Sequence, residues 1–294
     1  MINTVAVIVT NNRLKLLQEC LQALLKQTSS LDKIIVVNNN SNDGTDAYLK
    51  KIEAASVVPF SLDENIGGAG GFNYGFKKAM MFDPQRIWIM DDDTIPEPDA
   101  LEKLLIADQN LNGDFGFLAG NVLWKDNTPC KMNIPTFDTI DQNSNNTESL
   151  AKVLDGTFVS MFVNSAAVKR VGYPISDFFI WGDDFNFSRR VSKVYPCYFV
   201  RESIVIHKCK TNTFTDIVAD EAARIPRYYY EYRNRLYNYT SIWGRKGRRK
   251  YFKTVFKALV RILLRSDNKG KRIHYLFKGF FAALQFHPKI ETCE

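Results

Sequence analysis

Four short apolar runs, each closing on a cluster of polar residues, limit what this chain can fold into. Residues 3–10 form a short continuous apolar run, the pattern of a strand buried on both faces; 33–37 read as a second buried strand, and 57–62 and 86–90 as the next two. Between them, residues 13–25 carry Leu14, Leu17, Leu21, Leu24 and Leu25 at helical spacing. Residues 46–55 read as a second helix, and the glycine-rich stretch 67–71 opens a third over 72–81. Strands alternating with helices in this way predict an α/β fold with a mostly parallel sheet flanked by helices.

Beyond Pro98 the alternation loosens. A helix is expected over 100–110, a strand over 115–124 and a long polar loop over 126–147. Strands follow over 158–163 and 197–207, with a helix between about 183 and 193. A helix rich in Tyr and Arg over 225–239 leads into a basic tail. The expected division is a catalytic domain over 1–240 and a helical tail over 241–294.

In an open parallel sheet, ligands bind outside the carboxyl ends of the strands. Four polar clusters stand at those ends: Thr10-Asn11-Asn12-Arg13, Asn38 to Asp43, Glu64-Asn65 and Asp91-Asp92-Asp93. The triple aspartate is the sharpest. Three adjacent carboxylates repel one another, and burial raises their pKa unless a cation compensates. In extended backbone Asp91 and Asp93 share a face, so both can bind one hard divalent ion such as Mn2+ or Mg2+. Such an ion could bridge the diphosphate of a nucleotide sugar. The competing reading is a helix N-cap at Asp93-Thr94, ahead of Pro96-Glu97-Pro98.

Asn65-Ile66-Gly67-Gly68-Ala69-Gly70-Gly71-Phe72 can bring backbone N–H groups close to a phosphate at a helix N-terminus. It lacks the Lys of a P-loop and the spacing of a dinucleotide fingerprint. Trp181-Gly182-Asp183-Asp184 sets paired carboxylates beside an aromatic, which suits a general base next to a sugar ring; a plain helix N-terminus favours acids equally. His207 closes an apolar strand, and taken alone a histidine there is a structural residue. It gains a role only if the fold brings it to a metal.

Taken together these motifs resemble the inverting glycosyltransferase family 2, which has the GT-A fold. Thr10, Asn12 and Arg13 look like its first nucleotide-binding turn, residues 36–45 like its second strand-end motif, and Asp91-Asp92-Asp93 like its DxD. The stretch 65–72 and Trp181 with the double Asp look most like bacterial galactofuranosyltransferases, with rhamnosyltransferases using dTDP-rhamnose close by. The resemblance implies donor contacts at Thr10, Asn12, Arg13, Asn38, Asn65, Gly67, Gly68, Asp91 and Asp92. It further implies metal ligation by Asp91, Asp93 and His207, with Asp184 as base supported by Asp183 and Trp181 at the acceptor. His207 lies 23 residues after Asp184, where that branch carries its third metal ligand. Two positions depart from the pattern: Asn38 stands where Asp is usual, and Asn186 where a further acid is frequent.

The implied reaction moves a sugar, galactofuranose from UDP-galactofuranose as the leading expectation, onto a glycan or polyprenyl-linked glycan in bacterial cell-surface polysaccharide synthesis. A sugar nucleotidylyltransferase would carry a glycine-rich loop after its first strand, and residues 10–13 contain no glycine. An inactive glycan-binding partner subunit would not need Asp91, Asp93, Asp184 and His207 together.

The net charge of +7 is a property of the tail. From Gly244 onward there are 14 Lys/Arg against three acids, which leaves 25 basic and 29 acidic residues in 1–243. Lys253, Lys257, Arg261 and Arg265 recur every four residues among apolar ones, and a second apolar segment covers 275–286. Both suit an amphipathic anchor on an anionic membrane surface; a helical hairpin packed on the catalytic domain is the alternative. No motif for nucleic-acid binding accompanies the charge. No signal peptide is evident, no apolar run reaches about 18 residues, and five cysteines without a CxxC pair read as free thiols. The expected location is therefore cytoplasmic, peripheral to the inner face of the membrane.

Overall fold

The computed structural model describes residues 2–138 and 150–293. Its first half follows the expected alternation: β1 (Thr4–Thr10), α1 (Leu14–Leu25), β2 (Lys33–Asn38), α2 (Thr45–Leu49), β3 (Val57–Ser61), α3 (Gly67–Met80) and β4 (Arg86–Asp91). Then come β5 (Thr94–Pro96), α4 (Ala100–Asn110), β6 (Phe117–Trp124), β7 (Leu150–Lys152), β8 (Met161–Asn164), α5 (Ser165–Val171), α6 (Asp183–Ser192), β9 (Tyr198–His207), α7 (Tyr228–Arg265) and α8 (Lys269–Ala283).

Among the described residues the strands form one nine-stranded sheet in the order β3-β2-β1-β4-β8-β6-β9-β5, with β7 also on β9. The half from β3 to β4 is parallel, while β8 runs antiparallel between β4 and β6. Alternation along β1 sorts the core into two layers. Ala6 and Ile8 face Leu17, Leu21, Leu24, Leu101 and Leu104 of α1 and α4. Val5, Val7 and Val9 face Phe72, Phe76 and Ala79 of α3 and Phe187 of α6. Each fully buried Val, Leu, Ile or Phe among them contributes about 1.5–3 kcal/mol, so strand positions at the site are held from both sides.

Several expected boundaries moved for identifiable reasons. The helix expected over 46–55 stops at Leu49, because the following backbone is drawn into the β2 edge, where the Ile34 amide donates to the Ser56 carbonyl at 2.7 Å. Of the polar loop expected over 126–147, residues 139–147 lie outside the described residues. Its start folds back on β6 instead, with the Trp124 amide donating to the Thr128 carbonyl and Cys130 to Val122. The helix expected over 225–239 continues to Arg265 but breaks at Gly244, whose φ of 54° and ψ of −130° reverse the chain. The two arms then run side by side, and the Tyr251 hydroxyl donates to the Tyr232 carbonyl at 3.0 Å.

The C-terminal helices pack on the catalytic sheet's own elements. Tyr228, Tyr232, Leu236, Tyr251, Val255, Ile262 and Leu276 form a third core, with Trp181 at its edge. Beyond α8 the chain returns to α3: Glu291 accepts from Asn73 at 2.9 Å and pairs with Lys77 at 2.5 Å.

Candidate active site

The strand ends converge as the parallel sheet requires. β4 ends with Asp91 opposite Val9, and Thr10 lies opposite Asn38 of β2. Asp92 turns inward: its Oδ2 accepts from the Thr10 hydroxyl at 2.7 Å and its Oδ1 from Arg13 Nη1 at 3.1 Å. The same guanidinium nitrogen donates to Asp93 Oδ2 at 2.8 Å. Arg13 is half exposed, so this ion pair adds little stability. Its consequence is orientation, since Thr10 and Arg13 fix where Asp92 and Asp93 point.

Asp93-Thr94 does not cap a helix. Residues 94–96 form β5, which pairs antiparallel with β9 and sets Thr94 opposite His207. The Lys208 amide then donates to the Asp93 carbonyl at 2.8 Å. This short ladder brings the imidazole to the carboxylates, with Nε2 3.2 Å from Asp93 Oδ1. Ligand atoms of Asp91, Asp93 and His207 lie within 4.8 Å of one another. The other ring nitrogen, Nδ1, is 2.9 Å from Asn133 Oδ1, and the Asn133 amide nitrogen donates to the Thr157 hydroxyl. That network assigns a proton to Nδ1 and aims Nε2 at the carboxylates.

The group fits a divalent cation. Asp93 Oδ1 is buried and, though close to Nε2, is misaligned and has no hydrogen-bond partner. Burial, followed by the charge of Asp93, pushes Asp91 up to about 7. Burial likewise pushes Asp92 up to about 6 against the pull of Arg13. Burial opposes charge on His207, yet the Asp93 carboxylate and the thiols of Cys130 and Cys209 push it up to about 12. The imidazolium is thus the local counter-charge, and a divalent ion held by Asp91, Asp93 and His207 would take the place of its Nε2 proton. Two carboxylates and one imidazole are donors suited to the harder divalent ions.

The acidic pair lies within electrostatic reach of Asp91. Trp181 and Gly182 both take left-handed backbone, with φ of 67° and 85°, immediately before Asp183 opens α6. For a tryptophan that conformation costs on the order of 1–3 kcal/mol. It is held by α7: Asn234 Nδ2 donates to the carbonyls of Phe178, Ile180 and Trp181, and Asn238 Nδ2 to that of Gly182. Asn186, the departure noted in the sequence, donates to Asn238 Oδ1 at 2.9 Å and so belongs to this brace. Burial, then the charges of Asp184 and Asp91, hold Asp183 well above the usual carboxylate range. Burial pushes Asp184 up to about 6, with Asp155 and Glu231 adding to the shift and the Phe185 amide opposing it. The influence of Asp91 on Asp183 ties this pair to the carboxylates at the end of β4.

At the ends of β1, β2 and β3 the polar residues knit the loops together. Asn38 Nδ2 donates to the Ser61 hydroxyl, and Asn12 Oδ1 accepts from the Asn42 amide. Asn65 Oδ1 accepts from Asn39 and from the Gly67 amide. The glycines divide by task. Cβ atoms at Gly71 and Gly75 would stand 2.5 Å from Val9 and Val7, so these two let α3 close on β1. Gly67 has φ of 76° and abuts the Phe179 carbonyl, whereas Gly68 faces open space. Composition gave no signal for Asn133, Asn234 or Asn238, since each acts through side-chain contacts distant in sequence.

The strand edge, the carboxylate–histidine cluster and the acidic pair stand together at the carboxyl ends of the parallel strands, where open α/β sheets bind their ligands. Residues 5–115 match the model of glycosyl transferase family 2, and the whole architecture is that of the GT-A fold. It is an enzyme that uses a nucleotide-sugar donor. Galactofuranosyltransferase GlfT1 of Mycolicibacterium smegmatis is 26% identical over 257 residues, covering 79% of this chain and 81% of that protein. Galactofuranosyltransferase GlfT1 of Mycobacterium tuberculosis is 25% identical over 251 residues, covering 79% and 80%. Among solved structures, S. aureus TarS superposes with a TM-score of 0.58 at 14% identity, over 97% of this chain and 44% of that one. GalNAc-T7 with UDP, GalNAc and Mn2+ superposes with a TM-score of 0.61 at 14% identity, over 94% and 55%. The chain thus spans only about half of these two solved chains, and their likeness is one of fold.

Proposed function

We propose that the chain is an inverting, divalent-metal-dependent transferase that moves galactofuranose from UDP-galactofuranose onto a glycan or lipid-linked glycan. The observation that carries this reading is the convergence of Asp91, Asp93 and His207, with a buried Asp93 oxygen that makes no aligned hydrogen bond and lies 3.2 Å from Nε2. The donor sugar is supported by the two galactofuranosyltransferase relatives, and UDP and Mn2+ by the neighbour solved with both. When bound, the divalent ion would balance the charge of the departing nucleoside diphosphate. Thr10 and Arg13 hold the carboxylates in place, and the loops braced by Asn12, Asn38, Asn65, Gly67 and Gly68 form the nucleotide edge. Asp184 takes the proton of the acceptor hydroxyl as it attacks the anomeric carbon. A pKa of about 6 leaves it ionised at neutral pH yet more basic than an ordinary carboxylate. Trp181 offers the acceptor an apolar face.

The acceptor side includes the membrane. Phe252, Phe256, Val260, Leu263 and Leu264 of α7, with Phe281 of α8 and Leu284 just after it, form an exposed apolar stripe beside Lys253 and Lys257. No described helix is long and apolar enough to cross a membrane. The stripe suits lying in the interface of an anionic leaflet, which gives access to a lipid-linked acceptor at the cytoplasmic face.

The test is transfer from UDP-galactofuranose to a synthetic lipid-linked glycan, with product stereochemistry read by NMR. Expected are a configuration opposite to the donor's, loss of turnover in EDTA and recovery with Mn2+ or Mg2+. Full turnover in EDTA would remove the metal assignment, and a retained configuration would remove the single-displacement route.

A further inference from the structure

Behind the carboxylate site, the same imidazole faces two thiols. Cys130, on the strand that folds back against β6, is fully buried, and its Sγ lies 3.6 Å from His207 Nδ1. Cys209, two residues beyond β9, is half-buried, and its carbonyl accepts from Trp124 Nε1 at 3.0 Å. One ligand atom from each of Cys130, His207 and Cys209 lies within 4.8 Å of the others. Tetrahedral zinc, with bonds of about 2.3 Å to sulfur and 2.0–2.1 Å to nitrogen, places two such ligand atoms roughly 3.5 Å apart. The Cys130–His207 separation matches that spacing.

We propose that Cys130, Cys209 and Nδ1 of His207 form a second metal site, for a thiophilic divalent ion such as Zn2+, which shares its imidazole with Asp91 and Asp93. The two sites differ in chemistry: oxygen donors on one side of the ring suit Mn2+ or Mg2+, thiolates on the other suit Zn2+. Two thiolates and a neutral imidazole balance a divalent charge, so a loaded site is neutral in its largely buried setting. Loading releases the two thiol protons and the Nδ1 proton that Asn133 now accepts. A neutral imidazole has one lone pair. When Nδ1 ligates the soft ion, Nε2 keeps its proton and donates toward Asp93 Oδ1, and the carboxylate site loses its third ligand. Occupancy of the thiolate side therefore weakens Mn2+ binding on the other, and zinc acts as an inhibitor of the transferase. This regulatory consequence rests on the proposed metal dependence; the thiolate site itself does not.

The test uses full-length, fully reduced protein and Cd2+ as a spectroscopic stand-in for Zn2+. Thiolate-to-cadmium charge-transfer absorption is titrated, and Mn2+ affinity is read by electron paramagnetic resonance of free Mn2+, before and after one equivalent of Cd2+. Expected in the unmodified protein are a band saturating at one equivalent and a Kd for Mn2+ raised at least about tenfold, the scale on which losing a partner of a ligand is felt. Cys209→Ser should lose both the band and the effect of Cd2+ on Mn2+, and Zn2+ should erase the band by competition in the unmodified protein. Asp91→Asn should keep the band. Absence of a band, or a band that survives Cys209→Ser, overturns the site. A band with unchanged Mn2+ affinity overturns the shared imidazole. A protein that shows the band but binds no Mn2+ would contradict the carboxylate-site reading while supporting the thiolate site.

Discussion

Asp184 and His207 show how little a residue's identity says before its surroundings are known. Asp184 is pushed up to about 6, chiefly by burial. Below that pH it is protonated and can no longer accept the acceptor's proton, so kcat/KM should fall as pH drops through about 6 and level off above it. Asp184→Asn should lower kcat by about 10²–10⁴-fold, the usual contribution of a general base, and abolish that inflection while donor affinity is kept. An unchanged profile in Asp184→Asn would transfer the role to Asp183, which feels Asp91 directly. His207 was legible only through family resemblance, because its link to Asp93 runs through a three-residue strand too short to show in periodicity.

At the scale of elements, the parallel half of the sheet was legible because short apolar runs alternate with helical spacing and their polar ends fall on one edge. The antiparallel insertion of β8 was not, since strand direction leaves no trace in an apolar run such as 158–163. Residues 94–96 carry the residue types of a helix start, and pairing with β9 overrides that preference. The turn at 181–182 depends on Asn234 and Asn238 of α7, whose contacts no local pattern reports. Asn234→Ala should strip a donor from three carbonyls and cost about 1–3 kcal/mol, read as a lower urea midpoint at unchanged slope. Because the acidic pair follows that turn, kcat should fall more than donor affinity. An Asn234→Ala protein of unchanged kcat would mean that the turn holds without its brace.

For the whole molecule, charge and apolar surface segregate together. The basic excess beyond Gly244 accompanies a helical pair that is docked on one side through Tyr232, Tyr251 and Leu276 and bare on the other. Phe256 and Leu264 are 67% and 74% exposed. Replacing both with Glu should abolish sedimentation with anionic vesicles while leaving thermal stability and transfer to a soluble acceptor intact, since neither side chain is in the core. Binding of the double variant equal to the unmodified protein would assign the stripe another partner.

All of this hangs on one cluster of side chains. Its most direct measurement is the Mn2+ dissociation constant, by calorimetry in the presence of UDP, for the unmodified protein and for Asp93→Ala and His207→Ala. The expected result is a single site whose affinity drops at least about tenfold in His207→Ala and further in Asp93→Ala, as loss of a ligand demands. Equal affinities in all three proteins would place the ion elsewhere and contradict the assignment of Asp91, Asp93 and His207.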